Sequence, residues 1–114
     1  MPKQILLCKS IAGKIIRLSE STWFQKILED HPEFKMKAEY LEEVKRTIEE
    51  PDYVVTGWTG EYIALRYCEI SPAGPKYLCV IYRELNGEGF VITTFFISKV
   101  HKLLRRGVAW RKPK

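Results

Sequence analysis

Glu61-Tyr-Ile-Ala-Leu-Arg-Tyr-Cys68, followed after a short interval by Lys76-Tyr-Leu-Cys-Val-Ile-Tyr-Arg-Glu84, is the stretch whose reading decides the fold. Both runs are rich in β-branched and aromatic residues, and the Ser, Gly and Pro between Glu69 and Pro75 suit a turn, which predicts a β-hairpin. Strand side chains alternate between faces. Ile63, Leu65 and Tyr67 therefore share one face, with Tyr62, Ala64 and Arg66 on the other; Leu78, Val80 and Tyr82 likewise oppose Tyr77, Cys79, Ile81 and Arg83. Tyr53 to Gly57 and Phe90 to Ile97 have the same character, and Trp58 to Gly60 and Leu85 to Gly89 read as their turns. The prediction is an antiparallel meander of four strands. Arg66, Tyr82, Arg83, Thr93 and Thr94 are polar residues within strands, expected to face away from the core or into a cleft.

Upstream the period becomes helical. From Met36 to Glu50 the apolar Leu41, Val44 and Ile48 form one stripe against charged residues, and Pro51 stops the pattern. Ser19 to Thr22 supplies capping residues before the stripe Trp23, Ile27, Leu28, predicting a first helix to about Asp30. Ahead of it, Gln4 to Cys8 and Lys14 to Leu18 read as two short strands around Ser10 to Gly13. The expected architecture is α+β: two N-terminal helices packed on a twisted four-stranded antiparallel sheet, with a short N-terminal hairpin before them.

The 114 residues fit one domain, residues 1–114, with a basic tail from about residue 99. Of the 19 Lys and Arg, seven fall between Lys99 and Lys114, where no acid occurs, so the tail carries the positive charge of the chain. Such a segment suits phosphate backbones or an acidic partner, and equally a solvated terminus. Lys99 to Arg106 could form a short basic helix, and residues from Gly107 onward are expected to add few core contacts except those of Trp110. With 46% hydrophobic and 29% charged residues, disorder is excluded. No apolar run approaches the ~20 residues of a membrane span, and a cytoplasmic protein is expected. Cys8, Cys68 and Cys79 lie far apart in apolar runs and read as free thiols; neither they nor the histidines have metal-ligand spacing.

His31 is the one histidine outside the tail. Pro32 disfavours the α region for the residue before it, which puts His31 at a helix end, within reach of solvent. Histidine is the side chain that exchanges protons near neutral pH, so a catalytic role and a plain helix-end residue both fit.

In order, Trp23-x-x-Lys26-Ile27, His31-Pro32-Glu33-Phe34, Ile48-Glu49-Glu50-Pro51-Asp52-x-Val54, Arg66-Tyr67, Tyr77-Leu78-x-Val80 and Phe90-Val91-Ile92-Thr93-Thr94-Phe95 resemble the phage and polymorphic-toxin branch of the barnase, EndoU, colicin and RelE-like nucleases. The resemblance covers about Leu18 to Phe96. It implies a metal-independent endoribonuclease without a cofactor, in which a ribose 2′-hydroxyl attacks the adjacent phosphate. It also implies RNA as substrate and an acidic antitoxin or immunity protein as partner. His31 matches the helix-end histidine, the base or the acid. Arg66 matches a phosphate-binding position, although it also suits an ion pair with an acid such as Glu61 or Glu69. Thr93 matches the hydroxyl residue of the last strand, and Lys26 stands where relatives often carry a histidine. Tyr82, Thr94, Lys102, Arg105 and Arg106 are the expected nucleic-acid contacts. Lysine is a poor base unless its pKa is lowered, so a non-catalytic RNA-binding or partner-binding module of the same fold fits as well.

Overall fold

The strands hydrogen-bond in the order β1-β2-β6-β5-β4-β3-β7, a single seven-stranded sheet among the described residues. In the computed structural model, which describes residues 3–71 and 74–113, these are β1 (Gln4–Lys9), β2 (Ile15–Ser19), β3 (Tyr53–Thr56), β4 (Tyr62–Cys68), β5 (Lys76–Glu84), β6 (Glu88–Ile97) and β7 (Val108–Arg111). The central meander β3-β4-β5-β6 follows the alternating pattern. Part of its β4–β5 connection, Pro72 and Ala73, lies outside the described residues, as does Lys114 of the tail.

Two additions overturn the four-stranded expectation. The N-terminal hairpin does not stand apart: β2 joins β6 in parallel, Ile15 to Arg17 pairing with Glu88 to Phe90. Ile16 and Leu18 are fully buried, which explains why a short hairpin holds there. At the other edge, Val108 to Arg111 pairs antiparallel with β3, and Trp110 packs into the core. The residues after Gly107 are thus sheet, not tail.

The helices are shorter than expected. Glu20–Thr22 (α1) starts with the Ser19 hydroxyl accepting the Thr22 amide at 3.1 Å. It widens into a π turn, Trp23–Ile27, and closes as α2, Leu28–Asp30. A 3₁₀ turn, Pro32–Lys35, leads to α3, Glu39–Glu49, which buries Tyr40, Val44, Thr47 and Ile48. A four-residue α4, His101–Leu104, follows β6.

These elements cover both faces of the sheet. On the helical face Trp23, Ile27, Phe34, Tyr40, Val44 and Ile48 pack against Leu18, Val54, Ala64, Leu78, Val80 and Val91. On the opposite face Val55, Ile63, Leu65 and Cys79 are covered by Val100, Leu103 and Leu104 of the α4 segment. Phe34 sits at the centre of the first core: its ring stacks on Phe96 at 5.0 Å and meets Trp23 and Tyr40 edge-on, each at 5.8 Å. Burial pushes the Cys8 and Cys79 thiols up to about 12, so both behave as apolar core groups. Phe34→Ala removes a ring that is 2% exposed and touches three others. It should cost about 3–5 kcal/mol, read as a lower urea midpoint at unchanged slope.

Candidate active site

β2 pairs with β6 only as far as Phe90, which leaves the later part of β6 without a strand neighbour on that side. The helical segment passes along this open edge. Successive residues of a strand face opposite ways, and Phe95 and Phe96 accordingly belong to different cores. Phe34 stacks on Phe96, while the His31 ring lies 5.7 Å from the Phe95 ring. Residues 31–34 thus clasp β6 around its edge, with His31 delivered to the face opposite the main helices.

The local sequence explains the delivery. α2 ends at Asp30; His31 has φ −134° and ψ 74°, outside the α region that a following proline disfavours. Its backbone is still anchored, N–H donating to the Ile27 carbonyl at 2.8 Å and the carbonyl accepting from Phe34. The imidazole is 30% exposed, and its Nδ1 lies 3.8 Å from Oε2 of Glu33, an ion-pair separation when the ring is protonated. A π turn one step upstream is the kind of helix irregularity that recurs at functional sites.

Register decides which other residues share the His31 face. Thr93 pairs with Ile81, which pairs with Ile63, so Thr93 and Phe95 lie on the face of His31. A bulge at Ile92 sets this phase, because Ile81 faces Thr93 while Tyr82 faces Val91. The next residue of β5 on that face is Arg83, paired with Phe90. Its guanidinium donates to the Thr59 carbonyl at 2.9 Å and to Oε2 of Glu61 at 3.4 Å. Arg83 is one cation of that face, with Arg17 of β2, opposite Phe90, and Arg111 of β7, opposite Tyr53, on the same side; β5 alternation alone places Arg83 there, whereas the resemblance points to Arg66.

Arg66 lies elsewhere. It pairs with Leu78, itself opposite Phe96, which puts it on the helical face. There it donates to Oε1 of Glu43 at 2.9 Å, with Arg46 at 3.7 Å from the other carboxylate oxygen and the Cys68 thiol donating at 3.5 Å. The acid is thus on α3 rather than Glu61 or Glu69. Tyr82 and Thr94 are 1% and 0% exposed and do not reach the surface expected of them. Tyr82 stacks on Tyr62 in the helical core, burial pushing its phenol above the ordinary range, and the Thr94 hydroxyl donates to the Cys79 carbonyl at 2.7 Å. A threonine that satisfies its own hydroxyl in this way can be buried. Lys26 is exposed on the π turn. Lys102 and Arg105 are exposed beside the apolar residues by which the α4 segment covers the His31 face. Arg106 lies 4.0 Å above the Trp58 ring.

A profile described as phage-Barnase-EndoU-ColicinE5/D-RelE like nuclease 2 matches residues 4–111, from the first residue of β1 to the last of β7. The chain belongs to that phage nuclease family. No curated protein and no solved structure matches it. The family unit thus includes the N-terminal hairpin and β7, both outside the span of the sequence resemblance. Among the described residues no group of three or more His, Cys, Asp or Glu could hold a metal ion, and no helix is long and apolar enough to cross a membrane.

Two expected outcomes test this placement. Arg66→Ala leaves the Glu43 carboxylate, 12% exposed, with only Arg46 and the Cys68 thiol beside it, and should cost about 1.5–3 kcal/mol in urea denaturation. The second concerns pH. The Thr59 hydroxyl foremost, then the amides of the turn, hold the Glu61 carboxyl down at about 2 from an ordinary 4.5. A depressed folded value means that the contribution is complete above about 4.5 and lost as the pH falls toward 2. Protection of the Trp58 and Thr59 amides, measured against their intrinsic exchange rates, should fall across that window, and Glu61→Gln should abolish that pH dependence of the protection.

Proposed function

We propose that the protein is a metal-independent endoribonuclease of toxin or phage-associated type, with its reacting phosphate on the sheet face shared by His31 and Thr93. The ribose 2′-oxygen, giving its proton to a base, attacks the adjacent phosphorus. The bond to the 5′-oxygen breaks, that oxygen takes a proton from an acid, and a 2′,3′-cyclic phosphate remains. His31 carries one of the two proton transfers, with Glu33 holding the ring toward the strand. The Thr93 hydroxyl donates to a phosphate oxygen. Arg83 on the same face, together with the exposed Lys26, Lys102 and Arg105, offsets the charge that develops. Arg66, clamped by Glu43, supports α3 against β4 and does not touch the phosphate.

The observation that carries this reading is the grip of residues 31–34 on β6, which puts the half-exposed imidazole on the face of Thr93 in a chain of a nuclease family. A cationic rim of this kind also suits an acidic inhibitor as cognate partner. The alternative, a binding module without turnover, draws on Lys26 standing where relatives often carry a histidine.

Single-stranded RNA incubated with the protein in excess chelator should be cut to products with cyclic phosphate ends. His31→Ala should reduce the rate by on the order of a hundredfold or more. An intact substrate would leave the binding module as the reading, and undiminished cutting by His31→Ala would remove the histidine from the mechanism.

A further inference from the structure

Trp58 is 83% exposed, more than any other large hydrophobic side chain among the described residues. Yet it is not on a loose loop. Its amide donates to Oε1 of Glu61 at 2.7 Å, the Gly57 amide donates to the Glu61 carbonyl at 2.7 Å, and Arg83 holds the Thr59 carbonyl. Arg106 covers one side of the indole at 4.0 Å. That arginine is fixed too: its amide donates to the Leu103 carbonyl, and the Gly107 carbonyl accepts from Thr56 on β3.

We propose that Trp58 and Arg106 form a stacking platform for an unpaired base of a single-stranded nucleic acid; this rests on a nucleic acid being the ligand, as in the reading above. With the guanidinium on one side and such high exposure, the indole keeps a free face for a planar π-system. Exposed aromatic rings beside cations are the physical basis of single-strand binding, in which each base stacks and the backbone meets positive charge. Arg105 beside the platform is exposed and available to a flanking phosphate. Trp58 is flanked by Gly57, Thr59 and Gly60, so the turn lacks the contiguous apolar patch that a protein partner would use. Glu61 and Arg83 connect the platform to the catalytic face. Glu61 precedes β4, and Thr93, in register with Ile63, lies two strands away, about 10 Å across the sheet and about 7 Å along it, a span of a few nucleotides. A strand bound at Thr93 can therefore present a base a few nucleotides away to Trp58 and leave the others unread.

The experiment uses the whole chain and 2′-O-methyl oligonucleotides, which lack the attacking hydroxyl and cannot be cut by the proposed route, so binding is read apart from cleavage. Adding the single strand should quench tryptophan emission. Trp58→Ala should weaken binding about 5–150-fold, as expected for loss of one base–aromatic stack, with Trp58→Phe in between. A duplex of the same length should bind wild type and Trp58→Ala alike. Walking an abasic site along the oligonucleotide tests the same point without altering the protein: one position should weaken wild-type binding and leave Trp58→Ala indifferent. Equal single-strand affinity of wild type and Trp58→Ala overturns the platform, and so does an abasic scan without a sensitive position. Binding that behaves as expected without cleavage of ordinary RNA would sink the ribonuclease reading and leave the platform standing.

Discussion

The grip of residues 31–34 on β6 is the contact on which the rest of the arrangement depends. A strand edge left open in a sheet needs a cover, because its amides and carbonyls otherwise offer themselves to other chains. β2 supplies that cover only along the first part of β6. Beyond it the helical segment takes over, and Phe34 anchors it through the Trp23, Tyr40 and Phe96 rings. With Phe34 fixed on one face, the chain at His31 carries its ring around to the other. The position of the histidine follows from apolar packing on the far side of the strand.

This arrangement gives the two faces different duties. The helical face is closed by aromatic rings and by the Glu43 cluster, where two arginines and a thiol converge on one carboxylate. Polar groups there are matched to one another and hold α3 against β4. The other face has only a short helix over part of it. Of its polar groups, Thr93 and His31 lie at the β6 side, while Arg83 of β5 reaches the other way, to the Thr59–Glu61 turn before β4.

Much of this was legible from residue order. Alternation over residues 53–97 locates four strands, Pro51 and Pro32 place the helix ends, and the composition of Ser19 to Thr22 marks a helix start that the structure keeps. What escaped depends on contacts between distant residues. Nothing in Ile15 to Arg17 shows that its partner is Glu88 to Phe90, and Val108 to Arg111 sits in so basic a setting that charge hides a strand. The bulge at Ile92 shifts the phase of β6 by one residue, and that decides whether Thr93 or Thr94 faces the core. Arg66 and Arg83 look alike in a sequence; only the register and the position of Glu43 separate them.

The parallel pairing of β2 with β6 also bears on the order in which the molecule comes into being. Arg17 and its ion-pair partner Glu88 are 71 positions apart, so during translation at about 5–20 residues per second the N-terminal strands wait roughly 4–14 s for their neighbour. Long-range pairing of this kind also slows folding, since loop closure precedes the contacts that reward it. Until β6 leaves the ribosome, Phe34 has no Phe96 to stack on. A nascent chain of that length already contains His31 but lacks the surface that orients it.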